Sequence, residues 1–220
     1  MNSETSRNQS SKLLNYCPGI KRSLDIFFSY VAIVVFSPIF YLLIVAIKLD
    51  SQGPAFFKQN RVGRNLRRFR LLKFRSMVAS KDPVQPEFDP GDSRRITRVG
   101  WILRKTKLDE LPELFNVLNG EMSIVGPRPE VEKYVNSYSE DFKTILKVRP
   151  GLSDYASIKY RDEEAIFASQ SDPEHYYVHV ILPDKLRLAK RYIENISFST
   201  DLHIIKDTLK SVAGKGIVVK

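Results

Sequence analysis

Asp109 and Glu110 stand side by side just ahead of Leu111-Pro112, and paired carboxylates in that setting could do phosphorus chemistry. Proline is tolerated only in the first turn of a helix, so Pro112 predicts a helix beginning at about Asp109. The free N–H groups and the macrodipole at such a start would keep both carboxylates ionised. An ionised aspartate is a nucleophile toward phosphorus, and its neighbour can hold Mg²⁺. The same pair also reads as a helix cap with a solvated neighbour, because acidic helix starts are common.

Gly126-Pro127-Arg128-Pro129 follows soon after. Two prolines restrict the backbone about one arginine, so Arg128 has little freedom left to lose when its planar fork meets a phosphate. The alternative is a rigid turn that exposes an arginine. A third feature is the basic run from Lys58 to Arg75, which no Asp or Glu interrupts. It suits anionic lipid head groups or a diphosphate. Lys73, between Leu72 and Phe74, is the member best placed to be held in position. His175 and His179 are four apart but have no third ligand, so zinc is not expected. No Walker A loop and no GxGxxG fingerprint occurs.

These groups must be positioned by the elements around them. Ile26–Ile47 is a run of 22 residues without a charge. A straight helix of that length covers about 30 Å, the thickness of a bilayer core. Apolar side chains surround it completely, which disfavours a buried core helix. Its length and its start inside the chain disfavour a cleaved signal peptide. Ser37-Pro38 at its centre predicts a kink. Lys21 and Arg22 lie before the run and the basic stretch after it. Positive charge on both sides favours a re-entrant hairpin over a single span, and leaves both open.

The remaining chain reads as α-rich. Residues 1–20 are expected to be a flexible tail, and 21–50 the membrane element. Residues 51–220 are expected to form one compact catalytic domain of the α+β class, with surface amphipathic helices. Ala55–Gln59 and Phe69–Met77 are expected to be short strands or interfacial segments, with Gly63 turning between them. Lys81–Asp92 is a proline-rich loop. Leucines at 103, 108, 111, 114 and 118 have helical spacing, and Asn119-Gly120 ends that helix. Helices are also expected over Glu130–Leu146, Pro183–Ile193 and Asp201–Val212.

Composition agrees with a folded chain that has an acidic partner. The 220 residues are 43% hydrophobic and carry a formal charge of +10. That favours nucleic acid, a phosphorylated substrate or an anionic membrane surface. The single Cys17 excludes an intrachain disulfide and a cysteine-based zinc site.

In combination these residues resemble the bacterial sugar transferase family, the monotopic phosphoglycosyl transferases. The likeness runs from about Lys21 to Val212. It rests on KRSLD, the apolar run with its Ser-Pro, QNRVG (Gln59–Gly63), LLKFRSM (Leu71–Met77), RITRVGWILRKTKLDELPELFNVLNGEMSIVGPRPE (Arg95–Glu130) and VRPGL (Val148–Leu152).

The resemblance implies transfer of a sugar 1-phosphate from a UDP-sugar donor to a polyprenyl phosphate acceptor, with release of UMP. It implies that Asp109 forms a covalent phosphosugar intermediate and that Glu110 binds Mg²⁺. Lys73, Arg104 and Arg128 would neutralise phosphate charge. It also implies a hairpin broken at Ser37 and Pro38, monotopic in the inner membrane, with the catalytic domain on the cytoplasmic face against anionic lipid.

This sequence departs from the family pattern at two places. Lys107-Leu108 replaces the more usual Ser-Leu before the dyad, and the added cation is expected to lower the Asp109 pKa. The stretch Leu152–Arg161 differs from the common TGxxQVxGR pattern, which leaves the sugar open. Larger relatives carry transmembrane helices ahead of this core, and none is expected here. A membrane-tethered nucleic-acid-binding protein and an inactive scaffold of polysaccharide assembly are the competing readings. The resemblance implies no nucleic-acid partner.

Overall fold

The computed structural model describes residues 18–78 and 95–214. The expected tail up to residue 17 and the loop Lys81–Asp92 lie outside the described residues. A helix of 33 residues, α1 (Pro18–Asp50), opens the fold. It is long and apolar enough to cross a membrane. Helical backbone runs through Ser37-Pro38, where the sequence predicts a kink and the family resemblance implies a break. The reason is local. Pro38 has no N–H to give the Val34 carbonyl, and the Ser37 hydroxyl donates to that carbonyl instead at 2.8 Å. The polar group left over by proline is thereby satisfied within the helix.

Both limbs of α1 are seated on the rest of the protein, and its middle is not. In the first limb Asp25 is buried and accepts from the Ser123 hydroxyl (2.8 Å) and the Ile124 N–H (3.2 Å). Arg22 donates to the Leu118 carbonyl at 3.0 Å, and Lys21 pairs with Asp201 at 2.5 Å. In the second limb Phe40 and Ile47 join a core with Ala55, Phe74 and Leu103. Between them Val34–Ile39 are exposed at every position, around the full circumference of the helix.

An antiparallel hairpin follows, β1 (Phe56–Val62) and β2 (Arg68–Phe74), with Phe56 opposite Phe74 and Val62 opposite Arg68. Gly63 begins the short connection, as expected. The basic run divides on this hairpin. Lys58, Arg64, Arg67, Arg68 and Arg70 are exposed, whereas Arg61, Lys73 and Arg75 turn inward. Arg75 is buried at the end of α1. It donates to the carbonyls of Ile47 (3.2 Å), Ser51 (2.7 Å) and Gln52 (2.8 Å), which caps that helix terminus. Gly53 makes room for it: a Cβ there would lie 2.3 Å from the guanidinium.

Helix α2 (Arg98–Thr106) is capped by Thr97, whose hydroxyl accepts from Gly100 N–H at 2.9 Å. The short α3 (Glu113–Leu118) comes next and ends at Asn119 and Gly120 (φ +84°), as the sequence predicts. Strand β3 (Ser123–Val125) pairs in parallel with β4 (Gly151–Ser153). Between them run α4 (Glu132–Ser137) and α5 (Ser139–Ile145), two helices where one was expected over Glu130–Leu146. Tyr138, at φ −133° and ψ 46°, breaks the line between them.

The C-terminal part is helical: α6 (Tyr155–Lys159), α7 (Glu163–Ala168), α8 (Pro173–Tyr176), a π-helical turn (Tyr177–Ile181), α9 (Leu182–Glu194) and α10 (Phe198–Val212). The largest core joins Tyr134, Phe142, Ile145, Tyr177 and Leu182, where these helices pack on α4 and α5. The α-rich α+β reading therefore holds, with two small sheets as minor partners.

Candidate active site

The acidic pair sits on a bend rather than at a helix start. Lys107 adopts a left-handed conformation (φ 58°) that stops α2 and redirects the chain. Leu108–Glu110 then form a 3₁₀ turn, and regular α-helix begins only at Glu113. Proline is the cause. An α-helical bond from residue 112 to the Leu108 carbonyl is impossible, so Leu111 N–H takes that carbonyl at 3.2 Å in the tighter pattern. The expected α-helix from Asp109 is corrected accordingly.

The bend drops Asp109 into a cavity of about 540 Å³ that Lys73, Arg104, Glu110 and Arg128 also line. Asp109 is 8% exposed, and its Oδ1 has no hydrogen-bond partner among the described residues. Burial raises its carboxyl above the ordinary aspartate value, against the pull of Lys73, and Glu110 adds to the rise. The expectation that helix ends and Lys107 would lower it is thus reversed. Lys107 does act in the lowering direction, but desolvation outweighs it.

Glu110 is the opposite case. Its Oε1 accepts from Lys73 Nζ at 2.8 Å and also from Arg128 Nη2, while Oε2 receives a longer bond (3.4 Å) from Arg128 Nη1. Burial alone would raise this carboxyl, but Arg128, Lys73 and Lys107 together hold it well below the usual range. Arg128 and Lys73 are in turn kept more basic than usual. Burial opposes this in each, and Glu110 and Glu113 prevail.

Each cation is delivered by its own brace. Lys73 rides on β2, whose outer edge is bound to α3 through one side chain. Asn116 accepts from Leu72 N–H at 2.9 Å and donates to the Arg70 carbonyl at 2.8 Å. Arg128 rides on the proline loop after β3. Its guanidinium reaches the Leu152 carbonyl at 3.4 Å, and its N–H reaches Asp154 at 3.3 Å. Gly126 and Gly151 lie back to back there. A Cβ on Gly151 would fall 2.1 Å from the Gly126 nitrogen, so only glycines let the two loops touch. Arg104, from the last turn of α2, completes the cationic wall of the cavity.

Sequence reasoning missed Glu113. It is fully buried, lies 3.4 Å from Lys73 Nζ, and makes no hydrogen bond among the described residues. Burial pushes its carboxyl up to about 7, with Lys73 opposing and Glu110 assisting. Its spacing of three and four residues from the acidic pair was the available signal, because such residues share a helical face. All the residues singled out for chemistry, Asp109, Glu110, Lys73, Arg104 and Arg128, do converge on one cavity. Ser37 and Pro38 belong to the exposed middle of α1 instead.

Comparison with known proteins agrees with this convergence. The model of the family described as bacterial sugar transferase matches residues 16–215. The chain is 37% identical over 196 residues to UDP-N-acetylgalactosamine-undecaprenyl-phosphate N-acetylgalactosaminephosphotransferase of Aeromonas hydrophila, covering 88% of this chain and 43% of that one. It is 34% identical over 207 residues to the exopolysaccharide production protein ExoY of Rhizobium meliloti, covering 87% and 84%. It is 41% identical over 143 residues to UDP-glucose:undecaprenyl-phosphate glucose-1-phosphate transferase of Caulobacter vibrioides, covering 63% and 53%. This chain thus spans less than half of the Aeromonas protein and most of ExoY. A family match over nearly its whole length, with the acidic pair and the proline-flanked arginine meeting in one cavity, makes this chain a member of the bacterial sugar transferase family.

Proposed function

We propose that this protein is a phosphoglycosyl transferase. It moves a sugar 1-phosphate from a UDP-sugar to a membrane polyprenyl phosphate, undecaprenyl phosphate in bacteria, as the first membrane step of a surface glycan pathway. The carrying observation is Asp109, a buried carboxylate on the cavity wall whose Oδ1 has no hydrogen-bond partner among the described residues, beside a Glu110 gripped by two cations. A carboxylate oxygen without a hydrogen bond is available as a nucleophile, whereas the oxygens of a clamped glutamate are engaged.

The reaction runs in two displacements. An Asp109 oxygen attacks the phosphorus that bears the sugar. The bond from that phosphorus to the bridging oxygen breaks, and UMP departs with the oxygen. A phosphate oxygen of the polyprenyl acceptor then attacks the same phosphorus. The bond to Asp109 breaks, its carboxylate returns, and a polyprenyl diphosphate sugar leaves. Lys73, Arg104 and Arg128 neutralise charge that spreads over the phosphoryl oxygens. Burial strips water from the Asp109 carboxyl and raises its basicity, and a more basic carboxylate is a stronger nucleophile when ionised.

Among the described residues no cluster of three metal-ligating side chains occurs, so a divalent cation here would rest on Glu110 and the substrate phosphates. Mg²⁺ is usually held by one or two carboxylates together with substrate phosphates, and Glu110 Oε2 has only one long hydrogen bond to give up. Glu110 would hold the ion, which when bound supplies charge neutralisation on the diphosphate.

The membrane arrangement belongs to the same proposal. Helix α1 dips into one leaflet and returns, so that the protein is monotopic on the cytoplasmic face of the inner membrane. Supporting this are two limbs seated on one body and an apolar middle exposed on all faces. A site held at head-group level meets the acceptor phosphate without drawing it into water. The test is UMP release by purified protein with a panel of UDP-sugars, polyprenyl phosphate and Mg²⁺. Donor alone should leave a phosphosugar on the peptide containing Asp109, detectable by mass spectrometry. Turnover with no such adduct overturns the two-step route, and no UMP from any donor overturns the function.

A further inference from the structure

The cavity has two unlike walls. Lys73, Arg104 and Arg128 make the first one cationic around the acidic pair. The second is built from α7, α9, the π-helical turn and the neighbouring β1. Its side chains form one connected line: Arg61, Glu130, Tyr177, Lys185 and Glu163, all of which border the cavity. Arg61 Nη1 lies 3.2 Å from Glu130 Oε2. The Tyr177 hydroxyl donates to Glu130 Oε1. Lys185 Nζ donates to the Tyr177 hydroxyl at 3.4 Å and stands 2.8 Å from Glu163 Oε1. Two cations and two carboxylates cancel along this line, so the wall is polar and carries no net charge.

Such a wall is poorly suited to a diphosphate, which needs excess positive charge. It is equally unsuited to stacking a nucleobase. Tyr177 is 1% exposed, its ring packs on Tyr134 and Phe167, and Lys185 lies 4.7 Å from its centroid. The most exposed aromatic ring lining the cavity is Trp101 of α2, on the cationic side, with Lys105 Nζ 4.8 Å from its centroid. What the neutral wall does offer is alternating donors and acceptors at its least buried end, Lys185 and Glu163. Hydroxyl groups are recognised by that combination, because each both donates and accepts. A partly buried ion pair adds little stability, so its place on a ligand cavity calls for another reason.

We infer that Glu163 and Lys185 read the hydroxyl groups of the donor's sugar, and that this neutral wall sets which sugar is transferred. The inference rests on the proposed transferase reading. Glu163 and Lys185 here are positioning and specificity residues, and the chemistry stays with Asp109.

The test compares the native protein with Glu163→Gln and, separately, Lys185→Gln. UMP release is measured across UDP-hexoses and UDP-N-acetylhexosamines, and UMP is titrated as a competitor. Loss of one charged hydrogen bond should raise KM for the preferred donor roughly tenfold to a hundredfold. The preference for that donor over its epimer should fall by roughly tenfold, while inhibition by UMP is unchanged in both variants. Unchanged UMP inhibition also reports an intact nucleotide site and an intact fold. UMP inhibition that weakens in step with KM assigns the wall to the nucleotide and overturns the inference. Native donor preference in both variants overturns it as well, and leaves the transferase standing. A native protein that releases no UMP from any donor overturns the transferase reading and this inference with it.

Discussion

Lys73 Nζ lies 3.4 Å from Glu113 Oε1, and that ammonium is the nearest thing to a partner for a carboxyl with no exposure to water. A buried carboxyl in this state holds its proton. Folded Glu113 keeps it up to a pH of about 7, whereas an ordinary glutamate releases it near 4.5. Between those values this group binds more proton in the folded state than in the unfolded one, so its contribution to stability falls as pH rises. The full change is roughly 3 kcal/mol. Glu113→Gln should remove it. Denaturation at pH 5 and at pH 8 should show the native protein losing more stability than the variant, and equal losses would refute the assignment.

Asp109→Asn should abolish UMP release, with a loss of roughly a thousandfold or more, because the nucleophile is gone. Stability should stay level or rise by about 1 kcal/mol, since an unpartnered buried carboxylate is replaced by a neutral amide. Activity assays and thermal unfolding on the same sample check both halves. An inactive variant that is also grossly destabilised would make the activity loss uninformative about chemistry.

Arg128→Lys keeps the charge and removes the fork. Arg128 contacts both oxygens of Glu110 and the Leu152 carbonyl, which one ammonium cannot do. kcat/KM for the donor should drop roughly tenfold to a hundredfold. A native value would mean that charge alone suffices at this position.

The hairpin reading of α1 makes a topological prediction. Ile20 (60% exposed) and Leu49 (83% exposed) lie near its two ends. With Cys17 replaced by serine, single cysteines at Ile20 and at Leu49 should both resist a membrane-impermeant maleimide in intact cells. Both should react once the cytoplasmic face is opened. Labelling of only one of them in intact cells identifies a spanning helix.

The acidic pair and Arg128 were legible in the sequence because they announce themselves locally, whereas Arg104 followed only from the family resemblance. Asp109-Glu110 before a proline and Arg128 between two prolines carry their meaning in adjacent residues. The α10 helix and the two strands also lie where they were expected, with errors of a few residues at their ends. The bend at Lys107 did not, because a lysine in left-handed conformation is imposed by packing and no propensity rule supplies it. The protonation bias of Asp109 was misjudged because burial is a property of the fold, and it outweighed the local charges that could be read. Glu163 and Lys185 are 22 residues apart and join only when α7 meets α9. Asn116 was unremarkable among the helix residues until β2 lay beside it.

Arg75 grips the last carbonyls of the apolar helix α1 and stands two residues from Lys73, just past the end of β2. On the proposed reading, anchor and reaction centre therefore share a single rigid joint. A chimaera that grafts a foreign anchor ahead of this strand must import the Ile47–Gly53 corner intact. Otherwise the guanidinium is stranded and the nearby ammonium drifts from its carboxylates. Loss of turnover in such a graft would then be mechanical in origin, even with every reacting group still present.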